Sequence, residues 1–311
     1  MQKLLSVIIP AYYEEGMIEQ AAAEISAVLA ENAINYEIIF VDDGSKDRTW
    51  EKIRTVSAQD THIRGISFSR NFGKEAAMFA GLSAAKGDAC VLIDCDLQHP
   101  PEKIVEMYRL WENGAEVVEA VKTDRGKESF LHKKCAQLFY HLISKACRVD
   151  MQNASDFKLL DRKAVNALLT MKEKNAFFRA LSSWVGFKTV KVEFEVRERT
   201  VGQSKWSAWA LVKYAFNNIS SFSAAPMQIV TILGAMMLIA SLILGIAALY
   251  QKIVGIAVHG FTTVILLQLF SGSIIMMSLG IIGYYIAKIY DEIKDRPRYI
   301  IAEECGGTDE K

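Results

Sequence analysis

Ala89-Cys-Val-Leu-Ile-Asp-Cys-Asp96 decides how the first half of this chain is read. Four or five β-favouring residues run without a polar break and then stop at Asp94-Cys95-Asp96. A short apolar run ending in acids is the pattern of a strand buried on both faces, with its carboxyl end open to solvent. The same pattern recurs on the N-terminal side. Leu4–Ile9 is a β-rich run ended by Pro10, followed by Tyr12, Tyr13, Glu14 and Glu15, and Glu37–Val41 runs into Asp42 and Asp43. Ile63–Ser69 and Ala115–Ala120 are further strand candidates. Between them lie helix-like stretches at Gly16–Asn32, Asp47–Gln59, Lys74–Ala85 and Pro101–Glu112, the second with Asp47 as a candidate cap and the last opening on proline. Strand–helix alternation of this kind predicts an α/β fold with a mostly parallel sheet flanked by helices. Ligands of such sheets gather at the carboxyl ends of the strands, which is where the acids are.

Asp94 and Asp96 are two apart, so on extended backbone they point to one side. Paired hard oxygens suit Mg2+ or Mn2+, which keep waters and bridge to substrate phosphates; the alternative reading of an isolated D-x-D is a solvated turn. No G-x-G-x-x-G follows the first strand and no G-x-x-x-x-G-K-[ST] occurs, which removes the usual dinucleotide and P-loop phosphate cradles.

Toward the C-terminus the character changes. Met227–Tyr250 and Val264–Ala287 are each 24 residues without a charge, against about 20 needed to cross a hydrocarbon core of about 30 Å. They read as a transmembrane pair, or alternatively as two buried core helices. Gln251–Thr263 joins them. Lys205 and Lys213 precede the first, and Lys288, Lys294, Arg296 and Arg298 follow the second, which predicts the N-terminal domain and both termini on the cytoplasmic side. Met1–Pro10 lacks the charged and apolar regions of a signal peptide. The expected organisation is a cytosolic α/β domain over 1–205, an amphipathic interface helix over 206–226, spans at 227–250 and 264–287 around a loop at 251–263, and a cytosolic tail at 288–311. Trp206 and Trp209 stand where headgroup-level anchors are expected. Lys122–Arg148 carries seven basic residues against two acids, with Leu131, Cys135, Leu138 and Leu142 at helical spacing. That stretch reads equally as a membrane-surface helix or as a core-facing helix with a basic outer side.

The whole chain of 311 residues has 36 Lys and Arg against 36 Asp and Glu. Zero net charge excludes a general nucleic-acid binder, which needs a basic surplus. Five cysteines without C-x-x-C spacing fit reduced thiols and not a disulfide framework.

Ser6-Val-Ile-Ile-Pro-Ala-Tyr-Tyr-Glu-Glu15, Val41-Asp-Asp-Gly-Ser-Lys-Asp-Arg-Thr49 and Leu92-Ile-Asp-Cys-Asp-Leu-Gln-His-Pro-Pro-Glu102 resemble family 2 glycosyltransferases of the GT-A fold. With Ser155-Asp-Phe-Lys-Leu-Leu-Asp-Arg162, Arg199-Thr-Val-Gly-Gln-Ser-Lys205 and the apolar pair, the resemblance narrows to polyprenyl-phosphate glycosyltransferases of the bactoprenol glucosyltransferase and dolichyl-phosphate mannose synthase type. It implies an inverting transfer of a sugar, first of all glucose from UDP-glucose, from a nucleotide sugar to a membrane polyprenyl phosphate. It further implies that Pro10, Tyr12 and Glu14 line the nucleoside pocket and that Asp42 contacts base or ribose. Asp96 is implied as the more direct metal ligand, with Asp94 nearer the sugar and Gln98 beside the metal. Asp156 lies near the reacting centre on this resemblance; an orienting carboxylate, a general base and a helix N-cap before Phe157–Leu169 are all open for it. Arg199, Ser204 and Lys205 close over diphosphate and acceptor phosphate, and Lys122 and Arg125 stand in the acceptor loop. Three positions depart from the family pattern: Tyr13 replaces the usual Asn, His99 the usual Asp, and Lys122 the first Arg of a pair. A rival reading is a glycan-extending transferase; a non-catalytic nucleotide-sugar binder and a transporter are the other classes. A homo-oligomer is compatible with Gly272, Gly280 and Gly283 on the second apolar run.

Overall fold

Leu4–Ala11 forms β1, and Ser6 through Ile9 of it are fully buried. Leu5, Val7, Ile9 and Ala11 face one helical layer, while Ile8 faces the other, so the strand has no solvent side and its apolar run is continuous. Pro10 lies inside β1 and does not end it, as the sequence had suggested. The carbonyls of Leu4 and Ile8 accept from Asp88 and Ile93 on the β4 side. Pro10, two residues on from Ile8, therefore turns its missing N–H to that same side, beyond Leu92, where β4 has already stopped.

The computed structural model describes residues 3–122, 155–171, 173, 177–195, 225–255 and 260–307. After β1 come α1 (Ile18–Glu31), β2 (Asn35–Asp42), α2 (Thr49–Gln59), β3 (Ile63–Phe68), α3 (Lys74–Ala84), β4 (Ala89–Leu92), α4 (Glu102–Glu112) and β5 (Val117–Lys122). The expected elements are therefore present, with ends moved by a residue or two. Asp47 accepts from the Thr49 N–H and hydroxyl, so it steadies the start of α2 from one residue outside the cap position. Then follow β6 (Lys158–Asp161), α5 (Arg162–Thr170), α6 (Phe178–Trp184), β7 (Thr189–Phe194), α7 (Ala225–Ile253), α8 (Phe261–Ile293) and β8 (Ile301–Cys305).

The strands make one eight-stranded sheet in the order β7-β5-β6-β4-β1-β2-β3-β8. Its centre, β4-β1-β2-β3, is parallel. The flanks are mixed, because β6 runs antiparallel to both β4 and β5, and β8 antiparallel to β3. The α/β class is as expected, but the parallel character is confined to the centre and one outer pair, β5 with β7. The helix expected over Phe157–Leu169 is split: Lys158–Asp161 is a strand, and the N-cap of α5 is Asp161, which accepts from the Lys163 N–H at 2.9 Å. Asp156 is thus not a helix cap.

The chain divides into two compact units, Met1–Val212 with Pro297–Lys311, and Lys213–Arg296. In the second, α7 and α8 lie against each other. At 1.5 Å per residue their 29 and 33 residues span about 43 and about 50 Å. Each contains a stretch long and apolar enough to cross a membrane, Val230–Ala247 and Phe270–Ile293, and neither stretch is buried in protein. Side chains such as Ile246 (70 % exposed) and Met276 (69 %) have no protein cover. Among the described residues nothing covers these surfaces, which fits lipid better than a buried core. The second helix continues six residues past Ala287, taking Lys288 into it. Of the expected tail, residues 297–307 are a folded part of the first unit. Within that unit Tyr299 stacks on Phe68 (5.0 Å between ring centres), Trp50 donates to Glu303 at 2.9 Å, and Arg298 covers the Phe79 ring.

Candidate active site

Four neighbouring parallel strands deliver their carboxyl ends to one place. The segments after β1, β2, β3 and β4, with the first turn of α3, line an open pocket of about 310 Å³: Pro10, Ala11, Tyr12 and Glu14, then Asp43, then Asn71, Gly73, Lys74 and Ala77, then Asp94, Cys95 and Asp96.

The turn after β2 sorts two adjacent acids into different jobs. Asp42 is 1 % exposed and spends its carboxylate on the Ser45 N–H (3.0 Å) and the Ser67 hydroxyl (2.9 Å). Asp42, for which the resemblance implies contact with base or ribose, is not on the pocket wall, whereas its neighbour Asp43 is. Asp43 accepts from the Phe72 and Gly73 N–H groups and from Asn71 Nδ2, all between 2.6 and 3.1 Å. Burial pushes its pKa up, against the pull of those two N–H bonds. Gly44 takes φ +67°, and a Cβ there would stand 2.4 Å from the Arg70 carbonyl carbon, so only glycine lets the turn pass so close to the end of β3.

By tying down 71–73, Asp43 sets the start of α3 and so the direction of Lys74. The Lys74 ammonium lies 2.6 Å from Asp94 Oδ1 and 2.9 Å from Asp156 Oδ2. Arg179 on α6 grips the same Asp156 with two parallel bonds of 2.7 and 2.9 Å. Burial alone would raise both carboxyls; the Lys74 charge, joined by Arg179 at Asp156, outweighs it. Asp94 therefore ends below the ordinary carboxylate range and Asp156 well below it. A carboxylate so held is an anchor and a poor proton acceptor near neutral pH. Glu75, next along α3, accepts from the Phe178 N–H at 2.9 Å and so fixes the start of α6, from which Arg179 projects. Burial, with Asp156 nearby, pushes Glu75 up to about 8.

Asp96 is half-buried, lines the pocket, and accepts from the Gln98 N–H at 3.2 Å. Gln98 is held beside it by that backbone bond, but its side chain is not on the pocket wall. Cys95, between the two aspartates, is buried; desolvation and then the charges of Glu14, Asp96 and Asp94 push its thiol well above the usual range, so it is inert. His99 is buried against Phe157 and Phe194, ring to ring at 5.0 and 5.3 Å, and belongs to the core under the site. Tyr13 takes φ +57°, the left-handed region in which asparagine sits most easily among larger residues, which gives the family's usual Asn a physical reason.

Among the described residues no group of three or more His, Cys, Asp or Glu is arranged as a metal cage. Two pocket carboxylates without a third protein ligand fit a hard divalent cation that completes its shell with water and substrate phosphate. Lys122 closes β5. Arg125, Arg199, Ser204 and Lys205 lie outside the described residues, as do Trp206, Trp209 and, apart from Lys122, the basic stretch to Arg148. Asp43 had been read only as one of the strand-end acids; Lys74, Asn71 and Glu75 were not among the expected site residues. Their signal was Asn71-Phe-Gly-Lys74, a polar segment directly after a strand and before a helix, the same position that singled out the acids.

Residues 6–172 match the family described as Glycosyl transferase family 2. The chain belongs to that family. It is 40 % identical over 303 residues to an uncharacterized glycosyltransferase, YkcC, of Bacillus subtilis, covering 97 % of this chain and 94 % of the relative. To a prophage bactoprenol glucosyl transferase homolog of Escherichia coli it is 38 % identical over 299 residues, covering 96 % and 98 %. Among solved structures, glucosyl-3-phosphoglycerate synthase from Mycobacterium tuberculosis, in complex with Mn2+ and uridine-diphosphate-glucose, overlaps 69 % of this family 2 chain and 76 % of its own, at 20 % identity and a TM-score of 0.49.

Proposed function

We propose that this family 2 glycosyltransferase moves glucose from a nucleotide donor, UDP-glucose first, to a membrane polyprenyl phosphate, with the catalytic unit on the cytoplasmic face. The observation that carries the reading is the acid-lined pocket in a chain that also holds two membrane-length helices and matches a bactoprenol glucosyl transferase homolog from end to end.

An acceptor phosphate oxygen attacks the anomeric carbon; the carbon–oxygen bond to the nucleoside diphosphate breaks, and the diphosphate leaves with the bonding pair. One displacement inverts the centre. A phosphate monoester, with a second pKa of about 6, is already largely dianionic at neutral pH. No strong base is required, which agrees with an Asp156 anchored by Lys74 and Arg179. Pro10, Tyr12, Glu14, Asp43 and Asn71 form the donor side of the pocket. A Mg2+ or Mn2+ ion held by Asp96 and Asp94 would supply charge neutralisation for the leaving diphosphate. Arg199, Ser204 and Lys205 are assigned to the diphosphate and acceptor phosphate, and Lys122 and Arg125 to the acceptor.

The test is transfer of label from UDP-glucose, UDP-N-acetylglucosamine and GDP-mannose to undecaprenyl phosphate by the full chain in membranes with Mg2+ or Mn2+. Organic-extractable label from UDP-glucose is expected. Label appearing only in a water-soluble glycan would replace the lipid acceptor, and a preference for another donor would replace glucose.

A further inference from the structure

Lys74 is the first residue of α3, the helix end at which a cation is least at home because the N–H groups there already carry positive partial charge. What holds it is a pair of acids, Asp94 at 2.6 Å and Asp156 at 2.9 Å. The two bonds are unequal in what they protect. Asp156 is 10 % accessible and keeps both Arg179 bonds if Lys74 departs. Asp94 is 31 % accessible, and Lys74 is the cation that pairs with it directly. The lysine side chain is itself 42 % accessible and lies on the pocket wall with Asp94 and Asp96. A flexible four-carbon stem with a point charge at its tip can leave one carboxylate for another anion without moving backbone.

We propose that Lys74 is a resident stand-in for the divalent cation: it balances Asp94 in the free enzyme, yields that carboxylate when the ion arrives, and transfers its ammonium to the donor's diphosphate. The inference rests on the reading that Asp94 and Asp96 take such an ion. One positive charge leaves the aspartate as two arrive, and the displaced ammonium meets the anionic group that enters with the metal. The ion alone has to break the Asp94 bond with no new partner for the lysine, which keeps only Asp156, an acid already held by Arg179, so ion and nucleotide bind together far better than the ion binds singly. Lys74 in this role keeps the two aspartates from capturing stray cations and makes nucleotide entry the signal that opens the metal site.

The test measures Mn2+ binding to the purified full chain by electron paramagnetic resonance, with and without UDP. Lys74→Met, which keeps length but not charge, is expected to bind Mn2+ without UDP at least about tenfold more tightly than the wild type, the scale of one charge-assisted bond. The gain in Mn2+ affinity on adding UDP should shrink in parallel. Lys74→Arg should keep the weak nucleotide-free binding. If Lys74→Met does not fold, Lys74→Gln, which still donates to both carboxylates without charge, carries the same expectation. Unchanged or weaker nucleotide-free Mn2+ binding in the uncharged variant, with normal UDP-dependent binding in the wild type, overturns the stand-in role and leaves the metal reading intact. Absence of Mn2+ binding in the wild type even with UDP overturns both.

Discussion

Two lysines in this sheet unit are each bonded to carboxylates, and they differ in one respect. Lys158 on β6 faces Glu119 directly across the β5–β6 ladder at 3.0 Å, donates to Ser182 and Ser183 on α6, and is 1 % accessible, its partner 6 %. Lys74 meets Asp94 and Asp156 with similar geometry but is 42 % accessible. The first pair is sealed and has no anion to exchange for. The second opens onto the pocket, where a diphosphate can compete for the ammonium. The same ion-pair chemistry is thus structural in one place and available for work in the other, and access to solvent separates them.

The largest effect expected is on the sealed pair. Lys158→Met strands a buried carboxylate and should lower unfolding stability by about 3–5 kcal/mol, read from the denaturation midpoint of the full chain in detergent. An unaltered midpoint would erase the contrast between the two lysines. At the open site Asp96→Ala should cut glucosyl transfer by about a hundredfold or more, with the denaturation midpoint unmoved; a folding defect of the size expected for Lys158→Met would move Asp96 into the structural class. Glu75 gives a pH signature. With its folded pKa at about 8, above the ordinary value of 4.5, the native state binds the proton more tightly than the unfolded chain. Stability should therefore fall as pH rises from 4.5 to 8. Glu75→Gln, which keeps an acceptor for the Phe178 N–H, should flatten that slope in thermal melts at pH 5 and pH 8. The smallest change expected is a gain: Tyr13→Asn should stabilise by about 0.5–1 kcal/mol, since asparagine adopts φ +57° with less strain.

Much of this could be read in the sequence, and the unread parts have physical causes. The parallel centre announced itself because strands buried on both faces are unbroken apolar runs, as in Val7-Ile-Ile9 and Val91-Leu-Ile93. Of the flanking strands β5 did, and β6, β7 and β8 did not. Residues 158–161 begin with a lysine, and no composition rule foretells that its ammonium will be buried against Glu119. Residues 301–305 include two glutamates on an exposed edge. Asp94 and Asp96 were legible as pocket acids because each follows a strand end. Asp42 and Asp43 were not separable, since which of two neighbours turns inward depends on Ser67 and Gly73, 25 and 30 residues away. Arg179 and Lys74 reach Asp156 from different helices, and only the fold brings them together.

The last strand carries a consequence for how the molecule is made. Gly65 through Phe68 of β3 pair with β8, which the ribosome reaches only after it has completed both long apolar helices. Until then that side of the sheet is an open edge, able to pair with another chain. Closing it depends on residues that emerge only after both helices have been made, so the sheet is completed last, by the chain beyond the helices.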